Sequence, residues 1–336
     1  MSPTIEEVAE RSGFSTATVS RALRGLPNVA PSTRERVLQA AEELHYSIDP
    51  YASRLATGRT MTIGIVIPLV DQWFYNKVSI IAETVLNAHG YDVLRYSITS
   101  SETRKELIKQ IATSRRVDGL IVVTIPLDAD EEDLLHGAGF PVVTVEAGTE
   151  SFPSVTCDNV AAAMTATRHL VNLGHERIAI ISGLCDDPMR FPIPRARKKG
   201  YRRVLEENDI EFRPEFDVPG NFSYEGGAEA MTALLAVRQA PTAVFAFSDE
   251  MAIGAMKTIR DLGLRVPEDI SVMGFDDHDV SRYVGLTTIH QPVAEYGDMA
   301  ASLLLSAMGD DGMQGTSHRE LSTRLVIRST TGTAPR

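Results

Sequence analysis

Apolar residues in the N-terminal part of the chain recur with the period of an amphipathic helix. A capping-box pattern at residues 4–7 starts the first helix, and Gly13-Phe14 ends it. Ser15 is placed to cap a second helix with three inward positions, Val19, Ala22 and Leu23. A third helix begins near Pro31, with four inward positions, Val37, Leu38, Ala41 and Leu44. Two short helices joined by a glycine turn, followed by a third, predict a helix-turn-helix head.

A short polar segment follows the head. Asp49 is placed to cap a helix, Pro50 suits its first position, and Gly58 ends it. A helix of about two turns is too short to be stable alone in water. Two interpretations remain open: a plain linker, or a hinge that folds only on DNA and inserts Leu55 as an apolar wedge into the minor groove.

From Thr62 onward the pattern changes to short apolar strands that alternate with helices. The predicted strands are 62–68, 91–96, 119–123, 142–145, 178–181, 243–247 and 270–275, with a last strand within 320–328. The predicted helices lie near 76–88, 102–115, 131–138, 195–208, 225–236 and 249–262. Such alternation predicts two doubly wound α/β lobes, each a parallel sheet covered on both faces. Ligands of such sheets bind at the carboxyl ends of the strands, so we expect a site in the cleft between the lobes.

These patterns divide the chain into three parts. We expect residues 1–48 to form a helix-turn-helix DNA-binding domain and 49–60 to form a hinge helix and linker. We expect residues 61–336 to form an effector-binding domain. Its N-lobe covers about 61–160 plus 291–320, and its C-lobe covers about 161–290 plus the C-terminal segment.

Charge is distributed unevenly along the 336 residues. The net charge is −12, yet residues 1–60 hold equal numbers of acidic residues and arginines, so the excess lies in 61–336. Residues 11–36 carry five arginines against one glutamate, a local charge of +4. A basic face on an otherwise acidic molecule indicates which end meets DNA.

The composition also argues against several protein classes. No apolar run approaches the roughly 18 residues of a membrane span, and residues 1–7 do not resemble a signal peptide, so we predict a cytoplasmic protein. The only cysteines are Cys157 and Cys185, and no Cys or His occurs at metal-ligand spacing. We therefore predict buried thiols and no disulfide framework, metal site or cofactor.

The outer face of the predicted second helix consists of Thr16, Ala17, Ser20, Arg21 and Arg24. It has no carboxylate. Small side chains let a helix approach base edges, and Arg can chelate guanine or a phosphate. Arg34 and Arg36 of the third helix are available to further phosphates. Taken alone, the second helix also fits an ordinary amphipathic surface helix, but its basic neighbours favour a DNA-reading one.

A series of motifs in the same order resembles the LacI/GalR family of bacterial transcriptional regulators along nearly the whole chain. The motifs are IEEVA at 5–9, ATVSRAL at 17–23, VAPSTR at 29–34, ASRL at 52–55, LGHERIA at 173–179, SDEMAIGA at 248–255, GFDD at 274–277 and LTTI at 286–289. The resemblance implies a head, a hinge helix and a body like the periplasmic binding proteins.

The resemblance further implies that residues 61–336 are also the dimerisation domain. It implies a homodimer on double-stranded DNA, at a near-palindromic operator that paired hinge helices bend. The implied DNA contacts are Thr4, Ser15, Thr16, Ala17, Thr18, Ser20, Arg21, Arg24, Asn28, Thr33, Arg34, Ala52 and Leu55. Asp49 stands where the family commonly has Asn, and Ile48 where it often has Pro. No heptad run follows the last predicted strand, so we expect a dimer without a tetramerising coiled coil.

In the body, the family's effector positions correspond to Trp73, Tyr75, Glu146, Arg197, Phe222, Ser248 and Asp276. Carboxylates and Arg suit the hydroxyls of a polyol, and aromatic rings stack on the apolar face of a sugar. We therefore expect a mono- or oligosaccharide effector for a repressor of carbohydrate uptake or catabolism genes. A purine, another small molecule or a phosphocarrier co-regulator remains an alternative.

Two further functions are less consistent with the sequence. Glu146 and Asp276 have the chemistry of a glycosidase carboxylate pair, but no nucleophile elbow, phosphate loop or Cys/His nucleophile signature occurs, so we expect no catalytic residues and no enzyme. A sugar-binding transport protein shares the two-lobed body. It requires an export signal and no DNA head, which is the reverse of this arrangement.

Overall fold

The computed structural model describes residues 3–23, 29–46, 59–68, 72–147, 149–183, 189, 191–309 and 317–335. The chain divides into two compact units, Met1–Thr60 and Met61–Arg336. Each unit has hydrophobic clusters of its own.

The described part of the first unit contains three helices, α1 (Ile5–Ser12), α2 (Thr16–Leu23) and α3 (Pro31–Glu43). The Thr4 side chain and Glu7 form the capping box of α1. Gly13 ends this helix at φ 77°, a left-handed conformation that glycine adopts without a side-chain clash. The buried core consists of Val8, Ala9, Val19, Ala22, Val37, Ala40 and Ala41.

One inward position of α3 was predicted incorrectly. Leu38 is 49% exposed, whereas Ala40 is buried. Steps of three and four residues from Val37 lead to Ala40 and Ala41, so these positions share the buried face. Leu38 lies about 100° further around the helix and therefore points outward.

In the second unit, strands and helices alternate. The first elements are β1 (Thr62–Ile67), α4 (Trp73–Ala88), β2 (Asp92–Ser97), α5 (Ser101–Ser114), β3 (Gly119–Val123), α6 (Ala129–His136), β4 (Val142–Val145) and β5 (Ser154–Cys157). Next come α7 (Asn159–Asn172), β6 (Ile178–Ser182), α8 (Pro192–Glu207), β7 (Asp217–Pro219), α9 (Tyr224–Leu235), β8 (Ala243–Ala246), α10 (Asp249–Asp261) and β9 (Ser271–Asp276). The last are α11 (Ser281–Val284), β10 (Thr287–His290), α12 (Val293–Met308), β11 (His318–Leu321) and β12 (Arg324–Val326).

The strands form two six-stranded sheets. The N-lobe sheet has the order β11-β5-β4-β3-β1-β2 and is parallel throughout. The C-lobe sheet has the order β12-β10-β9-β8-β6-β7, with only β12 antiparallel to its neighbour. Every side chain of β3 and β6 is buried, because helices cover both faces of a parallel sheet. The predicted fold of two doubly wound lobes is confirmed.

The chain crosses between the lobes three times in the described region. The crossings follow β5, β10 and β11, because the next element packs with or joins the other lobe each time. The single last strand predicted within 320–328 is wrong in detail. It is two short strands, β11 and β12, that belong to different sheets.

Strand β2 also differs from the prediction, which placed it in the buried interior. Its burial is low along its length, because it forms an edge of the N-lobe sheet and pairs with β1 alone. Strand β5 and helix α7, which meet at the first crossing, were not predicted from the sequence.

Candidate functional site

Helix α2 presents a polar surface that contains no acidic residue in its first turn. Ser15 caps the helix, because the backbone N–H of Thr18 donates to Ser15 Oγ at 3.3 Å. Val19 and Ala22 are buried. The exposed residues of the helix are Thr16, Ala17 and Arg21. This face combines small side chains with a guanidinium, so it can approach base edges and phosphates in a major groove.

The other predicted DNA contacts have varied surroundings. The Thr4 side chain is part of the α1 capping box, and the Thr18 hydroxyl lies 3.0 Å from that of Ser15. The partly buried members are Thr18, Ser20, Thr33 and Arg34. The members outside the described residues are Arg24, Asn28, Ala52 and Leu55, together with the hinge positions 49–58.

Arg36, which is exposed, also makes contacts within the head itself. Its Nη2 donates to the carbonyl of Ser12 at 3.1 Å, and its guanidinium lies 5.0 Å from the centre of the Phe14 ring. These contacts fasten α3 to the turn between α1 and α2. Arg36 therefore supports the helix-turn-helix geometry.

A cavity of ≈ 230 Å³ lies between the two lobes of the body. Its apolar walls are Phe74, Tyr75, Phe191, Ile193, Pro194 and Phe222. Its polar walls are Gln72, Thr124, Arg197, Asn221, Ser248, Glu250, Asp276 and Gln291. The cavity walls include five of the seven predicted effector residues, Tyr75, Arg197, Phe222, Ser248 and Asp276.

Arg197 extends from α8 toward the cavity and is 3% exposed. Its Nε donates to Asn159 Oδ1 at 3.0 Å, and its Nη1 donates to the carbonyl of Phe247. Its guanidinium lies 3.4 Å from the centre of the Phe275 ring. These contacts hold the planar group in one orientation and compensate for the removal of its charge from water.

Asp276 ends β9 and is, with Glu250, one of two acidic residues in the cavity wall. Its Oδ1 accepts a hydrogen bond from Gln291 Nε2 at 2.6 Å. Burial raises the pKa of Asp276 to about 7, although the nearby positive charge of Arg197 opposes this shift. Burial and the Asp276 charge also raise the pKa of Asp249 to about 8. A carboxyl that titrates near neutrality therefore faces the cavity.

Several cavity residues have positive backbone φ angles: Thr124 (62°), Asn221 (52°), Phe222 (53°) and Asp276 (123°). Thr124 directly follows β3, Asn221 and Phe222 come shortly after β7, and Asp276 is the last residue of β9. Such conformations are unfavourable for residues with a side chain and concentrate at functional sites. Thr124 is also 1% exposed, and its Oγ1 has no hydrogen-bond partner in the described structure. A ligand hydroxyl at this wall would satisfy it.

Phe222 packs against a glycine at the wall of the cavity. A Cβ atom on Gly183 would lie 2.3 Å from Phe222 Cε2 and 2.9 Å from Pro194 Cγ. Only glycine therefore leaves room for this ring to approach the end of β6. Ser248, 2% exposed, caps α10 by accepting the backbone N–H of Met251 at 3.3 Å.

Glu146 was predicted to contact the effector, but it does not form part of the cavity wall. Its carboxylate accepts hydrogen bonds from the backbone N–H of Cys157 at 2.6 Å, Asn159 Nδ2 at 2.7 Å and Tyr296 Oη at 2.6 Å. These partners lie at two of the crossings between the lobes, after β5 and at the start of α12. Burial raises the pKa of Glu146, and the hydrogen bonds from Tyr296 and Cys157 and the positive charge of Arg197 oppose this shift. Glu146 therefore fastens the crossings together behind the cavity.

Trp73 is likewise absent from the cavity wall. The ring lies at the first residue of α4 and contacts His278 of the C-lobe, with the ring centres 4.7 Å apart. Its Nε1 donates to Asp279 Oδ2 at 3.3 Å. Trp73 therefore connects the lobes beside the cavity.

Sequence reasoning missed the polar cavity residues Gln72, Thr124, Asn221, Glu250 and Gln291. Thr124 directly follows a predicted strand, and Glu250 lies within the SDEMAIGA motif, so both carried a signal. Gln291 follows a strand that the hydrophobic pattern did not reveal.

Among the described residues, no group of three or more His, Cys, Asp or Glu side chains has the arrangement of a metal site. No helix in the described ranges is both long and apolar enough to span a bilayer.

A helix-turn-helix head, followed by a two-lobed body with an internal cavity, defines the class of small-molecule-responsive DNA-binding regulators. Residues 4–49 match the family model "Bacterial regulatory proteins, lacI family". Residues 167–331 match the model "Periplasmic binding protein-like domain".

Full-length relatives agree with these matches. The chain is 34% identical to catabolite control protein A of Priestia megaterium, covering 98% of this chain and 100% of the relative. It is 33% identical to the HTH-type transcriptional repressor CytR of Escherichia coli (strain K12), covering 99% of this chain and 97% of the relative. The chain belongs to the LacI family of bacterial regulatory proteins.

Solved structures show the same architecture. The lac repressor dimer bound to operator and the anti-inducer ONPF is 28% identical, with a TM-score of 0.84 over 99% of this chain and 100% of that chain. The complex of the transcriptional regulator CelR with cellobiose is 30% identical, with a TM-score of 0.71 over 98% of this chain and 99% of that chain. The protein is a DNA-binding transcriptional repressor of the LacI family. The relatives named above are regulators rather than enzymes.

Proposed function

We propose that this repressor controls carbohydrate uptake or catabolism genes and that a small sugar-like effector, bound between the lobes, changes its operator affinity. The observation that carries this proposal is the composition of the cavity walls. The walls combine aromatic rings with the buried side chains of Arg197 and Asp276. A ring-shaped polyol has the matching chemistry, with an apolar face and hydroxyls at its rim.

Hydrogen-bonding capacity supports a hydroxylated ligand. Asp276 accepts, Arg197 donates, and Thr124 Oγ1 has unused capacity in the described structure. Ligand pockets commonly measure about 300–1,000 Å³. The present cavity of ≈ 230 Å³ suits a small ligand such as a single sugar ring. The CelR complex, which contains cellobiose, offers a precedent within the family.

We further propose that the chain acts as a homodimer on a near-palindromic double-stranded operator. The exposed face of α2 enters the major groove, with Arg21 as a base or phosphate contact. Exposed apolar side chains support a self-association surface: Ile80 of α4 is 51% exposed, and Leu94 of the edge strand β2 is 37% exposed. The solved lac repressor complex is a dimer.

Control of DNA binding follows from a change between the lobes. Effector in the cleft alters their relative angle, which shifts the dimer-facing surface of the N-lobe and the spacing of the two hinges. Hinges at the wrong spacing do not pair, and the two heads then do not occupy both half-sites.

A thermal-shift screen of the full chain tests the effector class. The panel contains ribose, glucose, galactose, maltose and cellobiose, with adenine and adenosine as the purine arm. A sugar that binds only the folded protein raises the unfolding midpoint with increasing concentration. The same sugar must then change affinity for an operator from the protein's own promoter region in a gel-shift assay. If only the purines raise the unfolding midpoint, the effector is a purine and the sugar proposal is wrong.

A further inference from the structure

Four side chains outside the cavity wall connect the two lobes at the edge of the cleft. Trp73 stacks on His278 at 4.7 Å between ring centres and donates from Nε1 to Asp279 Oδ2 at 3.3 Å. Lys77, one turn further along α4, donates from Nζ to the same oxygen at 3.0 Å. A single carboxylate of the C-lobe thus receives two donors from one helix of the N-lobe. We call Trp73, Lys77, His278 and Asp279 the lobe latch.

The C-lobe half of the latch is held in place from within its own lobe. Buried Asp249 accepts the backbone N–H of His278 at 2.8 Å and the hydroxyl of Ser281 at 2.6 Å. The Nδ1 of His278 accepts the backbone N–H of Val280 at 3.0 Å, which fixes the orientation of the ring. These contacts order the loop without help from α4, so the loop offers α4 a preformed surface.

The N-terminus of α4 is also capped from the opposite lobe. Its own N-cap residue, Gln72, makes no side-chain capping bond. The backbone N–H of Trp73 donates instead to Oε1 of Glu250, at 3.4 Å. A carboxylate beside a helix N-terminus also interacts favourably with the helix dipole, whose positive end lies there. Because Glu250 lines the cavity, it joins the latch to the effector site.

We propose that the lobe latch favours the closed arrangement of the body before any effector binds. Effector binding then acts on a cleft that already samples closure, and Glu250 connects occupancy of the cavity to the N-terminus of α4. The four latch side chains do not line the cavity, so their contribution does not depend on which effector the protein recognises. This inference therefore stands apart from the sugar proposal.

Exposure to solvent limits how strongly the Lys77–Asp279 pair can favour the closed arrangement. The Lys77 and Asp279 side chains are 39% and 60% exposed, so water screens their attraction. Loss of such a pair changes an equilibrium by about fivefold or less. The ring contact and the Nε1 hydrogen bond of Trp73 also connect the lobes. Because Asp279 accepts from both Trp73 and Lys77, its removal should have a larger effect than the removal of Lys77.

Hydrogen exchange of the ligand-free full chain, followed by mass spectrometry, measures latch opening directly. In Asp279→Ala, we expect exchange to accelerate by about fivefold in the peptides covering both the start of α4 and the loop 277–281. Lys77→Ala should accelerate the same two peptides by a smaller factor. The swapped variant Lys77→Asp with Asp279→Lys restores a charge pair and should return part of the protection. Lys257→Ala breaks an exposed pair within α10, with Nζ and Oδ2 2.5 Å apart, and serves as the matched control.

Trp73 provides an independent signal because the chain contains one tryptophan. Acrylamide should quench its fluorescence more strongly in Asp279→Ala than in the wild type or in Lys257→Ala. Unchanged exchange at both peptides, with unchanged quenching, would overturn the proposal. Faster exchange at α4 alone would also overturn it, because that pattern indicates fraying of one helix rather than separation of the lobes.

Discussion

Arg197 joins the effector cavity to a crossing between the lobes, because its Nε donates to Asn159 Oδ1 at 3.0 Å. Asn159 in turn donates from Nδ2 to Glu146 Oε2 at 2.7 Å. A side chain that faces the cavity is therefore two hydrogen bonds from the carboxylate that fastens the crossings.

Replacement of Arg197 by Ala should separate DNA binding from its control. A hydrogen bond from a charged group is worth about 1.5–3 kcal/mol, so loss of the guanidinium from the cavity wall should weaken the binding of a hydroxylated ligand by about 10-fold or more. We expect Arg197→Ala to retain operator affinity in the absence of effector and to lose the response to the sugar identified by the thermal-shift screen. Titrations by gel shift, with and without that sugar, provide the measurement.

Lys199→Ala is the matched control, because Lys199 lies on the exposed side of the same helix. It should respond like the wild type. A normal sugar response in Arg197→Ala would remove Arg197 from the effector site, whereas loss of operator binding without sugar would indicate a structural defect of the body.

Effector affinity should depend on pH through Asp276. Its pKa of about 7 means that the carboxyl is largely protonated at pH 6 and ionised at pH 8. A sugar hydroxyl that donates to Asp276 binds the ionised form, so affinity should rise with pH, by at most tenfold per unit below the pKa. Calorimetric titrations from pH 5.5 to pH 8.5, at about unit intervals, measure this dependence.

The stability of the ligand-free body should change in the opposite direction. The pKa of Asp276 is raised from 3.8 to about 7 in the folded state. Its contribution to the free energy of unfolding is therefore fully present below pH 3.8 and is lost as the pH rises through about 7. Asp249, with a pKa of about 8, adds a loss of the same sign at higher pH.

Asp276→Asn should flatten the pH profile of effector affinity around pH 7. A wild-type affinity profile without any slope there would contradict the role given to Asp276.

Glu146→Gln should destabilise the body more than it disturbs the cavity surface. The amide keeps one acceptor oxygen but places an NH₂ group against donors that now meet a carboxylate. Loss of a buried acceptor costs about 1–3 kcal/mol. We expect a lower thermal unfolding midpoint for Glu146→Gln than for Glu150→Gln, an exposed acid in the loop after the same strand. Equal midpoints combined with a selective loss of sugar affinity would instead make Glu146 an effector contact.

The hydrophobic pattern was sufficient to predict the two-lobed fold, because most of the buried strands are short apolar runs followed by a helix. It was insufficient where burial depends on the third dimension. Strand β2 mixes polar and apolar residues and forms an exposed edge, and β5 was missed because Ser154 and Thr156 alternate with apolar residues. Residues 318–326 contain two short strands that only the tertiary structure assigns to different sheets.

The sequence predicted part of the cavity wall. Arg197 lies within α8 and Asp276 ends β9, and charged groups require a polar partner once buried. Glu146 has the same signature but turns toward Tyr296 and Asn159, residues that lie 150 and 13 positions away. Trp73 has the chemistry of a sugar-stacking ring, but the position of His278 across the cleft determines what that ring contacts. Neither outcome is encoded in local spacing.

Arg21 should contribute to operator binding through a contact that salt weakens. It is an exposed cation of α2, on a face with Thr16 and Ala17, whose small side chains allow close approach to DNA. If Arg21 contacts a phosphate, Arg21→Ala should reduce the dependence of log affinity on log salt by about 0.9 per lost contact. If it contacts a base, affinity should fall by about 1–3 kcal/mol with relaxed preference at one operator position in each half-site. Operator titrations at four salt concentrations, repeated with singly substituted operators, distinguish these modes.

Arg11→Ala is the matched control, because Arg11 pairs with Glu43 at 2.6 Å. Identical slopes and identical base preferences for Arg21→Ala and the wild type would exclude Arg21 from the DNA interface.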